Sequence, residues 1–295
     1  MVQWVSILPH GGKRINTSSL QSQTCDKWPK GTSVKYRIYG HRHADYLFKD
    51  LDEYSTLYEE IIETIESITD EMIVTKHREL NRDAKSISEA INKLIKEGLT
   101  EKGWHAESFI FADSKYRQYE NGLTKGTWRL DFAKDSLSVE VAFNHRSDIS
   151  WNMIKPVLAS ELNHVQKSIQ TSGGVIVTAT EAMKKAGGYD SAIGTFEDYV
   201  QYCTPLYGML PTPLLIIGLE APESFSVSVR QVAPRKKAGF ISYYLIKSEE
   251  GEMFCGACGA IVPEITETCP ECGESLTPKW HDPESLFALS DEDDS

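Results

Sequence analysis

The chain has 295 residues, 40% of them hydrophobic and 10% aromatic, which suffices for one large core or two small ones and excludes a disordered chain. No apolar run is long enough to cross a bilayer, and the N-terminal MVQWVSILPHGGKR lacks the features of a secretion signal, so a cytoplasmic protein with no membrane contact is expected. The net charge of −12 argues against a polyanionic partner only until its distribution is seen: residues 251–295 hold eleven acids and one lysine, leaving 32 acids against 30 bases in residues 1–250, a body that can carry a local basic cleft.

Residues 1–34 are rich in Ser, Thr, Gly and Gln without periodicity and read as an irregular arm preceding a main domain over 35–250. Lys35 to Asp45 is strand-like and then polar. It leads into a predicted helix from Asp45 to Glu71, in which Leu57, Ile61, Ile62, Ile65 and Ile68 recur at helical spacing and Glu59, Glu60, Glu63 and Glu66 form a wet face. A second amphipathic helix is predicted over Lys85–Gly98, and Trp104–Ala112 reads as a strand. Glu107, near its start, is either an exposed strand-end acid or a member of a metal cluster.

The stretch WRLDFAKDSLSVEVAFNHR, Trp128 to Arg146, reads at strand period as a hairpin: apolar runs Leu130–Ala133 and Leu137–Phe143 joined by Lys134-Asp135-Ser136. Each run carries one acid between apolar neighbours, Asp131 in the first and Glu140 in the second. A carboxylate buried there costs several kcal/mol without a cation beside it. Two such carboxylates on adjacent strands repel each other, and a hard divalent ion such as Mg²⁺ resolves both problems, giving the outline of a phosphodiesterase site. The competing reading places both acids on the solvent face of an ordinary two-sided hairpin.

Beyond the hairpin, Asp148–Ser168 is expected to be a helix that Pro156 kinks or delays, and it carries Glu161 and His164. Gly174–Ala179 and Pro213–Leu219 read as buried strands on either side of a helix over Thr195–Leu206. The order hairpin, helix, strand, helix, strand describes an α/β fold with a mixed central sheet between helices. Strand-like segments 225–232 and 239–247 follow. The bases Arg230, Arg235, Lys236 and Lys237 between and beside them are either phosphate contacts or an ordinary solvated turn.

Cys255-Gly-Ala-Cys258 and Cys269-Pro-Glu-Cys272, each pair followed by Gly and separated by ten residues, have the spacing of a zinc ribbon over about 251–281. Four thiolates leave no open coordination position, so the Zn²⁺ is expected to be structural. Cys25 and Cys203 read as ordinary thiols. Residues 282–295, ending SDEDDS, read as a solvated acidic tail.

Taken together, Asp131-x8-Glu140-Val-x-Phe143, the helix bearing Ser160-Glu161-Leu162, the early His43-Ala-Asp45-x-Leu47 and the buried strands near 175 and 214 resemble the BglII-type restriction endonucleases of the PD-(D/E)XK fold, relatives of BamHI. The resemblance covers roughly residues 36–220 as scattered motifs in a shared order. It implies a Mg²⁺-dependent type II enzyme that cleaves double-stranded DNA at a short palindrome, works as a homodimer and is paired with a cognate DNA methyltransferase. It also implies that Asp131, Glu140 and the carbonyl of Val141 hold the ion. One position departs from the pattern: the Lys or Gln expected two residues after Glu140 is Ala142. Strand alternation offers Asn144 as a replacement for positioning water, with Glu161 completing the site from the helix. The alternative that Ala142 raises is a degenerate protein that binds DNA without cutting, acting through its zinc ribbon, but both metal-binding acids are present.

Overall fold

The structure is a computed structural model describing residues 5–6, 32–80, 84–116, 128–161, 165–247, 251–263 and 266–278. The first arm, apart from its described ends, and the acidic tail lie outside these residues, as do His164 and Cys25.

The chain opens with the two-residue strand β1 (Val5–Ser6), then β2 (Tyr36–His41) and helices α1 (Ala44–Asp50), α2 (Ser55–Ser67), α3 (Asp70–Leu80) and α4 (Ser88–Glu101). Strands β3 (His105–Phe109), β4 (Arg129–Lys134) and β5 (Leu137–Val141) precede α5 (Ile149–Ser160). Then come β6 (Gly173–Ala179), α6 (Glu181–Ala186), α7 (Phe196–Cys203) and β7 (Leu214–Leu219). Strands β8 (Phe225–Ala233), β9 (Lys236–Lys247), β10 (Met253–Cys255) and β11 (Leu276–Pro278) complete the described part.

The first seven strands form one mixed sheet in the order β1-β2-β7-β6-β5-β4-β3, in which β5, β6 and β7 run parallel and the remaining pairs are antiparallel. Alternation along the central strands sorts side chains between two helical layers. Val139, Val175, Val177, Leu215 and Ile217 face the core shared with α1–α4. Ile176, Leu214 and Ile216 face the core shared with α5 and α7. Both faces being covered explains why β6 and β7 are buried throughout instead of alternating.

The single helix expected over Asp45–Glu71 is instead two, with a further helix, α3, after it. The chain turns at Leu51, where the rings of Phe48 and Tyr54 pack 4.9 Å apart and close the corner. It breaks again at Ile68, whose carbonyl accepts the Val34 N–H while the Asp70 N–H donates to the Thr32 carbonyl, in the segment that leads into β2. Helical periodicity persists across both breaks, so only these tertiary contacts reveal them. The wet face of α2 is divided as well. Glu60 accepts hydrogen bonds from Lys134 and Trp104, and Glu66 accepts one from Tyr36, whereas Glu59 and Glu63 are exposed.

Helix α5 begins at Ile149 and runs through Pro156, then stops at Ser160, well short of the expected Ser168. The 225–247 region forms a second sheet in which β9 is the shared member: β8 pairs along its first part, and β10 and β11 flank its last residues.

Candidate active site

The hairpin is present, and its register sets the acids opposite each other. Phe132 pairs with Val139 and Ala133 with Ser138, which makes Asp131 and Glu140 the next cross-strand neighbours, with side chains on one face. Asp131 is fixed by the main chain of the partner strand, where the Val141 N–H donates to its Oδ2 at 2.8 Å. The backbone of Val141 therefore lies directly against the carboxylate.

Glu140 occupies the face opposite Val139, and on that face lies α5. The residue is 1% exposed, so the solvent-face reading of the hairpin does not hold. Its Oε2 is ion-paired with Lys155 Nζ, from a lysine only 8% exposed, while Oε1 is buried with no hydrogen-bond partner. Burial, followed by the neighbouring Asp131 charge, pushes the Glu140 carboxyl up to about 8, against the pull of Lys155. Asp131 is also raised, chiefly by burial, with Glu107 adding to the rise and Lys155 and the Val141 N–H opposing it. Two acids and one lysine thus share a single electrostatic site.

Lys155 is the residue that strand-period reasoning does not find. It is the one charged side chain in ISWNMIKPVLAS, a helix otherwise built to bury, and that oddity is a signal available in the sequence. Ala142, 2% exposed, packs with Ile149 and Met153, so the strand position that lacks a cation is filled by core.

The two proposed auxiliary residues are held in other ways than the strand and helix periods imply. Strand β5 ends at Val141, so pleating no longer controls the direction of Asn144, which is exposed. Its Oδ1 accepts from Asn152 Nδ2 at 2.9 Å, and the same amide donates to the Tyr199 hydroxyl at 2.8 Å. Glu161 does not complete the site from α5. The helix has already ended, and Glu161 follows in extended conformation, exposed, with its charge felt by Lys167. Glu107, by contrast, is directly across from Asp131 by extrapolation of the β3–β4 register, at a positive φ of 54°, and pairs with Arg129 at 3.2 Å.

The donor set suits a small hard cation: two carboxylates of adjacent strands, one of them with an unpartnered buried oxygen. Magnesium binds through one or two carboxylates plus substrate oxygens and water, so a third protein acid is not required.

The four cysteines of the C-terminal module converge. Their sulfurs all lie within 4.8 Å of one another, the one such cluster of three or more potential ligands among the described residues. Cys255 and Cys272 sulfurs are 3.8 Å apart, and those of Cys258 and Cys269 are 3.7 Å apart. A tetrahedral zinc with ligands at ~2.3 Å places sulfurs roughly 3.8 Å from one another, so the cluster fits that ion. These separations are too long for disulfides. Gly259 and Gly273, each just after a pair, both have φ of 74°, the left-handed turn that glycine adopts without strain. Cys203 is separate, a buried thiol raised by desolvation to about 12.

The fold and this site define an α/β protein in which a central mixed sheet presents a carboxylate pair backed by a buried lysine. A family model described as restriction endonuclease BglII/BglIII matches residues 36–219, and the chain belongs to that family. Its members are restriction endonucleases, and the matched span contains the hairpin and α5. The crystal structure of restriction endonuclease BglII complexed with a DNA 16-mer is similar at 18% identity, covering 71% of this chain and 100% of that one, with a TM-score of 0.46. Free BglII is similar at 17% identity, covering 74% of this chain and 98% of that one, with a TM-score of 0.40. No curated protein matched the chain. Among the described residues, no helix is long and apolar enough to cross a membrane.

Proposed function

We propose that this chain is a Mg²⁺-dependent, type II restriction endonuclease that hydrolyses both strands of a short, palindromic DNA site as a homodimer, in a cytoplasmic system with a cognate DNA methyltransferase. The observation that carries the reading is the buried, unpartnered Oε1 of Glu140 beside Asp131, two acids raised by burial that share the single positive charge of Lys155. Asp131, Glu140 and the Val141 carbonyl would hold the ion. When bound, Mg²⁺ supplies charge to the scissile phosphate and lowers the pKa of a coordinated water. The chain's own residues do the rest. The Val141 N–H fixes the rotamer of Asp131, and the hairpin register fixes its distance to Glu140.

Lys155 takes the place left empty at Ala142. Its Nζ reaches the acid pair from α5 instead of from the strand, where it would orient the attacking water or neutralise a phosphate oxygen. Ala142 was the feature favouring a non-cutting DNA-binding protein, and Lys155 beside the acid pair supports the cutting reading instead.

The test is incubation of purified protein with phage DNA and Mg²⁺. Discrete fragments from the wild type, absent for Asp131→Ala and Glu140→Ala, are expected. Undiminished cutting by either variant overturns the assignment of the site.

A further inference from the structure

Strands β8 and β9 form a ribbon that the carboxylate site does not explain. Over residues 225–247 it carries five Lys or Arg and no acid, in a chain of net charge −12. From Val229 to Lys237 every residue is exposed, so the ribbon projects from the body. Arg230, on this segment, stands over the Phe240 ring at 5.4 Å, which holds one guanidinium in place. Val229, Val232 and Phe240 are exposed too, at 40%, 44% and 43%, so the projection is a cationic surface with apolar and aromatic side chains among its charges.

The ribbon leaves the body on the same side as the carboxylate site. Parallel strands β5, β6 and β7 end at Val141, Ala179 and Leu219, and the chain passes from Leu219 through residues 220–224 into β8. β7 is two strands from β5, about 10 Å at ordinary strand spacing. A polyanion lying across that edge meets both the site and the root of the ribbon.

The root is held by a relay of short bonds that begins in the cysteine module. The Gly256 N–H, inside the first Cys pair, donates to the Tyr244 carbonyl at 2.9 Å, and the Tyr244 N–H donates to the Ser224 carbonyl at 2.7 Å. Asp70 of α3 then accepts from the N–H groups of Glu223 and Ser224 and from the Ser224 hydroxyl, tying the relay to the core. A Cβ on Gly256 would stand 2.7 Å from both the Ser224 and Tyr244 carbonyl oxygens, so this approach requires glycine. On the other edge of β9, Leu276 of β11 pairs with Tyr243, and Arg78 of α3 bonds both carboxylate oxygens of Glu274. The four-cysteine cluster thus sits at the base of the lever, not at its tip.

We infer that the β8–β9 ribbon is an arm that grips the phosphate backbone of duplex DNA beside the cleavage site, and that zinc in the four-cysteine cluster braces the root of this arm. The inference rests on the endonuclease reading, in that the polyanion is taken to be its DNA substrate. Phosphate contacts of this kind add affinity and register without reading sequence. The acidic composition of the cysteine module agrees with a brace that does not itself touch DNA.

The experiment measures binding of the full chain to a fluorescent duplex by anisotropy, without Mg²⁺ and across a salt series, alongside metal content. Wild type is expected to hold one zinc per chain. Arg230→Ala/Arg235→Ala/Lys237→Ala is expected to bind at least tenfold more weakly, with a log–log salt slope shallower by about 2 to 3. Cys258→Ser/Cys272→Ser is expected to lose zinc and most of the same affinity, with little further loss when the two sets are combined. Gly256→Ala, which keeps all four thiols, is expected to retain zinc yet bind DNA more weakly, and it guards against misfolding of the cysteine variant. Unchanged affinity and slope in the triple variant overturn the arm. Full affinity in the zinc-free or Gly256→Ala protein, or a wild type without zinc, overturns the brace. A wild type that binds no duplex at all defeats the endonuclease reading itself, whereas one that cuts DNA while the triple variant binds normally defeats only the arm.

Discussion

The carboxylate site and the cysteine module both gather groups suited to a cation, but they do it differently. The cysteines come from two local turns whose thiols close on one point, with a glycine after each pair providing the left-handed backbone. The acids come from two strands, and the lysine that balances them comes from a helix packed on the other side of the sheet from α1–α4. One donor set is closed and complete; the other leaves a buried carboxylate oxygen without a partner. A complete set staples structure, whereas an incomplete one retains the strain and the open position that chemistry uses.

Lys155 is where the comparison breaks most easily, because nothing local to the hairpin supplies it. Lys155→Met keeps the length and apolar stem of the side chain while removing the charge. Cleavage is expected to fall by roughly 10²-fold or more, in the range of a lost charge-stabilising or proton-handling group. Mn²⁺ binding should tighten instead of weaken, since the acid pair loses its competing cation, and calorimetry reads this independently of turnover. Restoring a lysine on the strand with Ala142→Lys in the Lys155→Met background should recover part of the rate. Weaker Mn²⁺ binding together with a collapsed melting temperature would assign Lys155 a purely structural role.

A pH series sharpens the contrast between the open site and the closed one. The folded Glu140 carboxyl titrates near 8 against an ordinary value of 4.5, so the folded state holds the extra proton. Unfolding then releases a proton between those limits, and the group's contribution to stability declines as pH rises from about 4.5 to 8. Without Mg²⁺, the stability of wild type relative to Glu140→Gln should therefore drift downward across that window in chemical denaturation. A flat difference would mean that Lys155 already compensates Glu140 fully.

The smallest expected effect lies in the module that local sequence governs. Gly273 has φ of 74° and nothing within 4 Å of where a Cβ would stand. Gly273→Ala should thus incur only backbone strain, about 1 kcal/mol, visible as weaker retention of zinc against a chelator. An effect several times larger would point to a packing role that the geometry does not show.

Particular residues mark how far the sequence reaches. Strands β6 and β7, the hairpin and the cysteine pairs were legible because hydrophobic period, turn residues and ligand spacing are all short-range properties. Breaks in the 45–71 helix were not, since Ile68 leaves the helix to bond Val34 while its apolar spacing continues unbroken. The same holds at the site. Sequence placed Asp131 and Glu140 on facing strands, but strand alternation pointed beyond the end of β5 to Asn144, and helical continuation pointed to Glu161, past the end of α5.

What the sequence determined by itself, then, is the buried central strands, the hairpin and the pairing of the two acids, because a hairpin's register follows from adjacent residues. Which cation answers those acids was decided only when α5 packed on the sheet and brought Lys155 to Glu140, fifteen residues away in the chain. Likewise, the Cys-x-x-Cys spacing announces a metal, but its place at the foot of the basic ribbon depends on Gly256 meeting Tyr244 and Ser224. The reason is common to both: electrostatic partners are chosen by proximity in space, and proximity across a packed interface leaves no periodic trace along the chain.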